Sequence, residues 1–206
     1  MDRLHCKNPV RLAENPAQRR QVRNVSLRAK GKAMADDVYS CHHEGSAMIA
    51  GSATRAFEWL DDPRHLAAHM KRSSAMMAGG SMAIFLDEME GRQVGSHIRM
   101  RGRMLGLPLE LDEVVTERDP PIRKVWETVG EPTLWVLGRY RMGVDLRPHA
   151  SGCHMCVFID YDFPRSLFLR WLARWIGRPY AVWCVEQMLA AVREAFAHVQ
   201  ASTATE

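Results

Sequence analysis

Apolar and charged side chains alternate with a period of two along residues 94–104. Val94, Ser96, Ile98, Met100 and Met104 fall on one side, and His97, Arg99, Arg101 and Arg103 on the other. That period predicts a strand with one covered face and one wet face. The separation recurs at 134–146, where Val136, Tyr140, Met142 and Val144 oppose Arg139, Arg141 and Asp145. It recurs again at 153–163, with Met155, Val157, Ile159, Tyr161 and Phe163 opposing Asp160 and Asp162. Further strands are predicted at 38–49, 81–89, 109–118 and 122–130, punctuated by turn residues. A turn centred on Gly106 and Leu107 would set Arg103 opposite Glu110 and Arg101 opposite Asp112. Pro108 argues against the tightest form of that turn, because it has no N–H to donate.

Elsewhere the period lengthens. Ser52 can cap a helix over "ATRAFEWLDD", and Pro63 can open a second, "PRHLAAHM". Val182, Val185, Leu189, Val192, Phe196 and Val199 recur at steps of three and four, which predicts a long terminal helix starting at Pro179. The preceding stretch, "SLFLRWLARWIGRPYAVW", carries three of the six tryptophans. On a helical wheel Leu167, Phe168, Trp171, Leu172, Trp175 and Ile176 sweep an arc of roughly 240°, with Arg170 and Arg174 on the remaining side. That arc is wider than one sheet contact requires. Gly177 and Pro179 predict a break between this cover helix and the terminal one.

The expected fold is therefore α+β. A seven-stranded antiparallel curved sheet carries two short helices after strand 1 and a long C-terminal helix across its concave face. That order resembles the SRPBCC superfamily (START, polyketide cyclase, Bet v 1-like), the helix-grip proteins. The residues carrying the resemblance are 53–70, "VVTERDPPIRKVWETVG" (114–130), "YRMGVDLRPHASGCHMCVFIDYDFP" (140–164) and the terminal helix. It covers residues 36–200, between a basic extension at 1–35, expected to be disordered, and a tail at 201–206.

The resemblance implies an elongated apolar cavity between sheet and helix, holding a lipid, polyketide or isoprenoid-type molecule. Mapped by strand and helix parity, its walls would be Ile84, Leu86, Ser96, Ile98, Met100, Met104, Val136, Tyr140, Met142, Val157, Ile159 and Tyr161, with Val185, Met188, Leu189 and Val192 from the helix. One bulge would swap a whole strand's set. Met76, Met77, Trp171 and Trp175 would form a lid. The chain would act as carrier or sensor, or alternatively as a polyketide cyclase or dehydratase. A third reading is a module that touches a membrane or partner through 164–183.

Candidate chemistry is sparse. Glu113 shares parity with Leu109, Leu111 and Val115. Facing inward, it would have a raised pKa and could act as acid or base; at a cavity mouth it would be hydrated and inert. Tyr140 and Tyr161 could orient the polar end of a ligand; Tyr140 is the second acid/base candidate. In "CHMC" (153–156) the two cysteines point to opposite strand faces, so buried or half-buried free thiols are expected rather than a zinc or redox pair. In "HHE" (42–44) His42 and Glu44 share a face, as a base and its orienter or simply as a pair at a sheet edge. No metal site and no cofactor fingerprint is evident.

Composition sharpens this only slightly. At 47% hydrophobic and 25% charged residues a sizeable core is feasible. Residues 1–35 hold nine Lys/Arg against Asp2 and Glu14, a net +7, so the total of +4 leaves the body near −3. With no aromatic residue to stack on bases, the extension implies no specific nucleic-acid partner. The first residues form no apolar leader, and the expected location is cytoplasmic, with membrane association through 164–183 as the variant.

Overall fold

The computed structural model describes residues 39–66, 81–104, 107–130, 132, 134 and 136–203. Seven antiparallel strands form one sheet: β1 (Cys41–Ile49), β2 (Ser81–Leu86), β3 (His97–Met104), β4 (Leu107–Asp119), β5 (Arg123–Thr128), β6 (Tyr140–His149) and β7 (Gly152–Tyr161). Their spatial order is β1-β7-β6-β5-β4-β3-β2. Two short helices, α1 (Ala53–Leu60) and α2 (Pro63–Leu66), follow β1, and α3 (Leu167–Thr203) closes the fold. This is the expected helix-grip arrangement.

The two faces separate as the alternation predicts. Met142, Val144 and Leu146 of β6 and Met155, Val157 and Ile159 of β7 join Val185, Leu189 and Val192 of α3 in one buried core. The opposite face is wet and carries cross-strand ion pairs, among them Arg99 with Asp112, Arg101 with Glu110, Arg123 with Asp145 and Arg141 with Asp160. The helix approaches β1 closely because Gly45 has no side chain. A Cβ there would stand 2.8 Å from Val185 Cγ1 and 3.1 Å from Leu189 Cδ1.

Helix α1 forms where its cap predicts, with the Ser52 hydroxyl accepting from the Arg55 N–H at 3.3 Å. It buries Ala53, Ala56, Phe57 and Leu60 at steps of three and one, a single stripe. At its end Asp61 is clamped to the sheet. Lys124 Nζ donates to the Asp61 carbonyl at 2.8 Å and to Oδ1 at 2.9 Å, and Arg118 donates to both carboxylate oxygens. The β4–β5 register shifts between Val115 and Glu117. That bulge turns Arg118 to the covered face, where its guanidinium reaches Asp61.

Three local expectations need correction. Arg101 pairs with Glu110 and Arg99 with Asp112, two residues from the expected register, because Met104 pairs with Leu107 and the turn is centred one residue earlier. An even shift leaves the faces unchanged. Residues 134 and 136–139 lie ahead of β6 rather than within it, so Val136 is buried from a non-strand segment. Finally, α3 is one helix of 37 residues with Pro179 inside it. A proline removes a single intrahelical bond. Ala173, Tyr180 and Ala181 are buried on both sides of it, and that packing carries the helix through.

Candidate functional site

Between α3 and the middle of the sheet lies a small cavity of about 30 Å³. Its walls are Met82, Leu111, Leu134, Leu137, Tyr140, Met142, Ile159, Tyr180, Cys184 and Met188. Tyr180, Cys184 and Met188 sit at steps of four on α3, so one helix face supplies three wall residues. Most of the wall is apolar. The polar groups are concentrated around Tyr140.

The Tyr140 hydroxyl donates to Glu113 Oε1. Two pairings bring these residues together. Glu113 lies opposite Thr128 in the β4–β5 ladder. Thr128 Oγ1 in turn accepts from the Tyr140 N–H at 3.1 Å and donates to the Tyr140 carbonyl at 3.4 Å. The threonine side chain thus continues the β5–β6 contact past the pair Glu127–Arg141 and fixes where Tyr140 starts β6. Beside it, buried Trp126 favours the charged form of Glu113.

Glu113 is buried, with 4% of its surface exposed. Burial, reinforced by the nearby Asp112 charge, raises its carboxyl from the usual range to about 7, against the lowering effect of Tyr140 and Trp126. Burial likewise holds the Tyr140 and Tyr180 phenols well above 10, so both remain hydroxyls near neutrality. Cys184 is pushed up to about 12 by burial and remains a thiol. A weak acid poised near neutrality therefore adjoins a cavity wall whose other ionisable groups hold their protons.

Among the residues mapped from sequence to a ligand site, Tyr140, Met142, Ile159 and Met188 line this cavity. Ile98, Met100, Val136, Val157, Tyr161, Val185, Leu189 and Val192 belong to the core around it, with Ile84 and Leu86 half-buried against that core. Ser96 is buried elsewhere, bracing the turn before β3: its hydroxyl donates to Asp87 at 2.6 Å and accepts from the Gly91 N–H at 2.7 Å. The Met104 side chain and both lid methionines, Met76 and Met77, lie outside the described residues. Trp171 and Trp175, the expected lid residues of the helix, lie on its outward side. They are 65% and 73% exposed, while Gly177 and Tyr180 face inward from the same helix.

Other sequence candidates fall away from the cavity. His42 Nδ1 stands 2.6 Å from Asp160 Oδ1, and Nε2 stands 3.4 Å from Glu44. His42 and Glu44 thus form a cluster with Asp160 on the wet face of an edge strand, and Asp160 raises the His42 pKa. Cys153 faces the core as a free thiol and Cys156 the other side. Cys156 is disulfide-bonded, which corrects the free-thiol expectation at that position. Among the described residues no group of three His, Cys, Asp or Glu is placed to hold a metal.

Six wall residues were not in the mapped set. Met82 shares parity with Ile84 and Leu86, and Leu111 with Glu113, so alternation could have found both. Tyr180 and Cys184 extend the Met188 row by steps of four. Leu134 and Leu137 come from the irregular segment before β6 and carry no periodic signal.

No family model and no curated protein matches the sequence. Solved structures do match. The protein TTHA0849 of Thermus thermophilus is 16% identical, with 77% of this chain and 99% of that chain covered and a TM-score of 0.57. One half of the di-domain ARO/CYC StfQ from the steffimycin biosynthetic pathway aligns at 13% identity, covering 78% of this chain and 51% of that one, with a TM-score of 0.55. Major latex-like protein 151 of Panax ginseng is 12% identical over 77% of this chain and 98% of its own, with a TM-score of 0.54. These likenesses show that the chain shares their fold, an antiparallel seven-stranded sheet gripped by a long C-terminal helix.

Proposed function

We propose that this chain binds a small amphipathic molecule between its sheet and α3, with the polar end of the ligand at Tyr140 and Tyr180. The observation that carries this reading is the pairing of buried Glu113 with Tyr140, which lines a mostly apolar cavity together with Tyr180. Buried polar groups weaken a core unless they are paired, and a carboxyl at such a place is costly to keep. Orienting a ligand gives it a use. The volume of about 30 Å³ accommodates roughly two water molecules. A drug-sized ligand needs on the order of 300 Å³ or more, so binding must widen the cavity. Met82, Met142 and Met188 supply flexible thioether walls for that expansion. Native mass spectrometry and organic extraction of the purified protein test the reading. A stoichiometric lipophile, carried in or taken up on addition and lost on Tyr180→Trp, is expected. Repeated absence of any bound lipophile overturns it.

A second reading is favoured by one observation. Glu113 is poised near 7 and hydrogen-bonded to Tyr140, the arrangement of a general acid or base beside bound substrate. The StfQ likeness is compatible with cyclase or dehydratase chemistry on a polyketide-type substrate. Turnover of such a substrate should then follow a group titrating near 7 and be lost in Glu113→Gln and Tyr140→Phe. Unchanged turnover in both variants removes the assignment.

A further inference from the structure

The outward side of α3 near its start differs from every other charged surface described above. Arg170, Arg174 and Arg178 are exposed and fall at steps of four, with exposed Trp171 and Trp175 one position after the first two. At 100° per residue the five occupy a contiguous arc of roughly 140°, arginines along one side and indoles along the other. On the wet face of the sheet each of Arg99, Arg101, Arg123 and Arg141 has an acidic partner. Among the described residues none of the three helix arginines has one, and the sequence holds no Asp or Glu between Asp162 and Glu186.

We propose that this face docks on an anionic lipid surface, with the two indoles seated at the level of the headgroups and the arginines on lipid phosphates and carboxylates. Tryptophan is suited to that boundary, since its ring is apolar and its N–H needs a polar partner. Arginines near an anionic surface each strengthen binding severalfold, by an attraction that salt screens. Residues 1–35, at +7, share the sign of the face, so they do not complement it. The contact is peripheral: no helix among the described residues is long and apolar enough to cross a membrane. A nucleic-acid strand fits less well, because the arc is the convex side of one helix and offers no groove to follow a backbone. The inference is independent of what the cavity holds, and its test uses no cavity ligand.

Co-sedimentation of the full chain with vesicles provides that test. Binding is expected to phosphatidylcholine vesicles containing phosphatidylserine at low salt, to weaken as salt rises, and to be absent from phosphatidylcholine alone. Replacing Arg170, Arg174 and Arg178 together by Gln should lower affinity on the order of a hundredfold. Trp171→Ala with Trp175→Ala should lower it further, with circular dichroism unchanged. In the unsubstituted protein, brominated phospholipid should quench part of the tryptophan fluorescence. No binding to the serine-containing vesicles, no quenching, or binding retained by both variants overturns the proposal. So does tighter binding to a single-stranded oligonucleotide that the same variants abolish.

Discussion

Glu113 shows how a single side chain couples sequence to pH. Its carboxyl is neutral in the folded chain up to about 7, against an ordinary value near 4.5. A raised folded pKa means the contribution is fully present below about 4.5, is lost as pH rises to about 7, and is gone above it. The loss amounts to roughly 3 kcal/mol. Urea unfolding at a series of pH values should show that decline, and Glu113→Gln should flatten it while keeping an acceptor for Tyr140. Strand parity brings Glu113 to the covered face, because it lies two residues from both Leu111 and Val115. Its depth and its partner are not written locally. Both depend on Thr128, a residue of another strand whose side chain completes a backbone ladder, and no periodicity announces that. For Tyr140 parity indicated the inward face, whereas the contact with Glu113 again required the third strand.

At the scale of elements, the joint between α1 and the sheet rests on one acid between two bases. Burial opposes the Asp61 charge, but Arg118 and Lys124 hold its pKa below the ordinary value. Asp61→Ala would leave Lys124, 2% exposed, without a counter-charge. It should destabilise the chain by about 3–5 kcal/mol in chemical denaturation. The bulge that delivers Arg118 explains a limit of pattern reading: "TERD" carries no mark of where the alternation slips. Pro179 makes the opposite lesson. Local propensity predicts a break, and tertiary packing of the flanking turns carries the helix across it. Pro179→Ala restores a missing N–H and should raise stability by about 1–3 kcal/mol, read as a higher unfolding midpoint.

For the whole molecule, element order and the two sheet faces were legible because burial writes its period into every strand. The cavity was legible only in part, since two of its walls come from the segment before β6, where no period exists. Its small volume depends on packing, which composition does not encode. The outward tryptophans belong to the same gap: a wheel shows that the apolar arc is too wide, and only the fold shows which part is left uncovered. One consequence follows from the ion pairs on the sheet. Because they cancel charge across the wet face while the first turns of α3 keep their arginines, the charge carried by the described residues is lopsided. On that part of the fold an approaching negative surface exerts a torque before any contact is made, one that turns the start of α3 toward it.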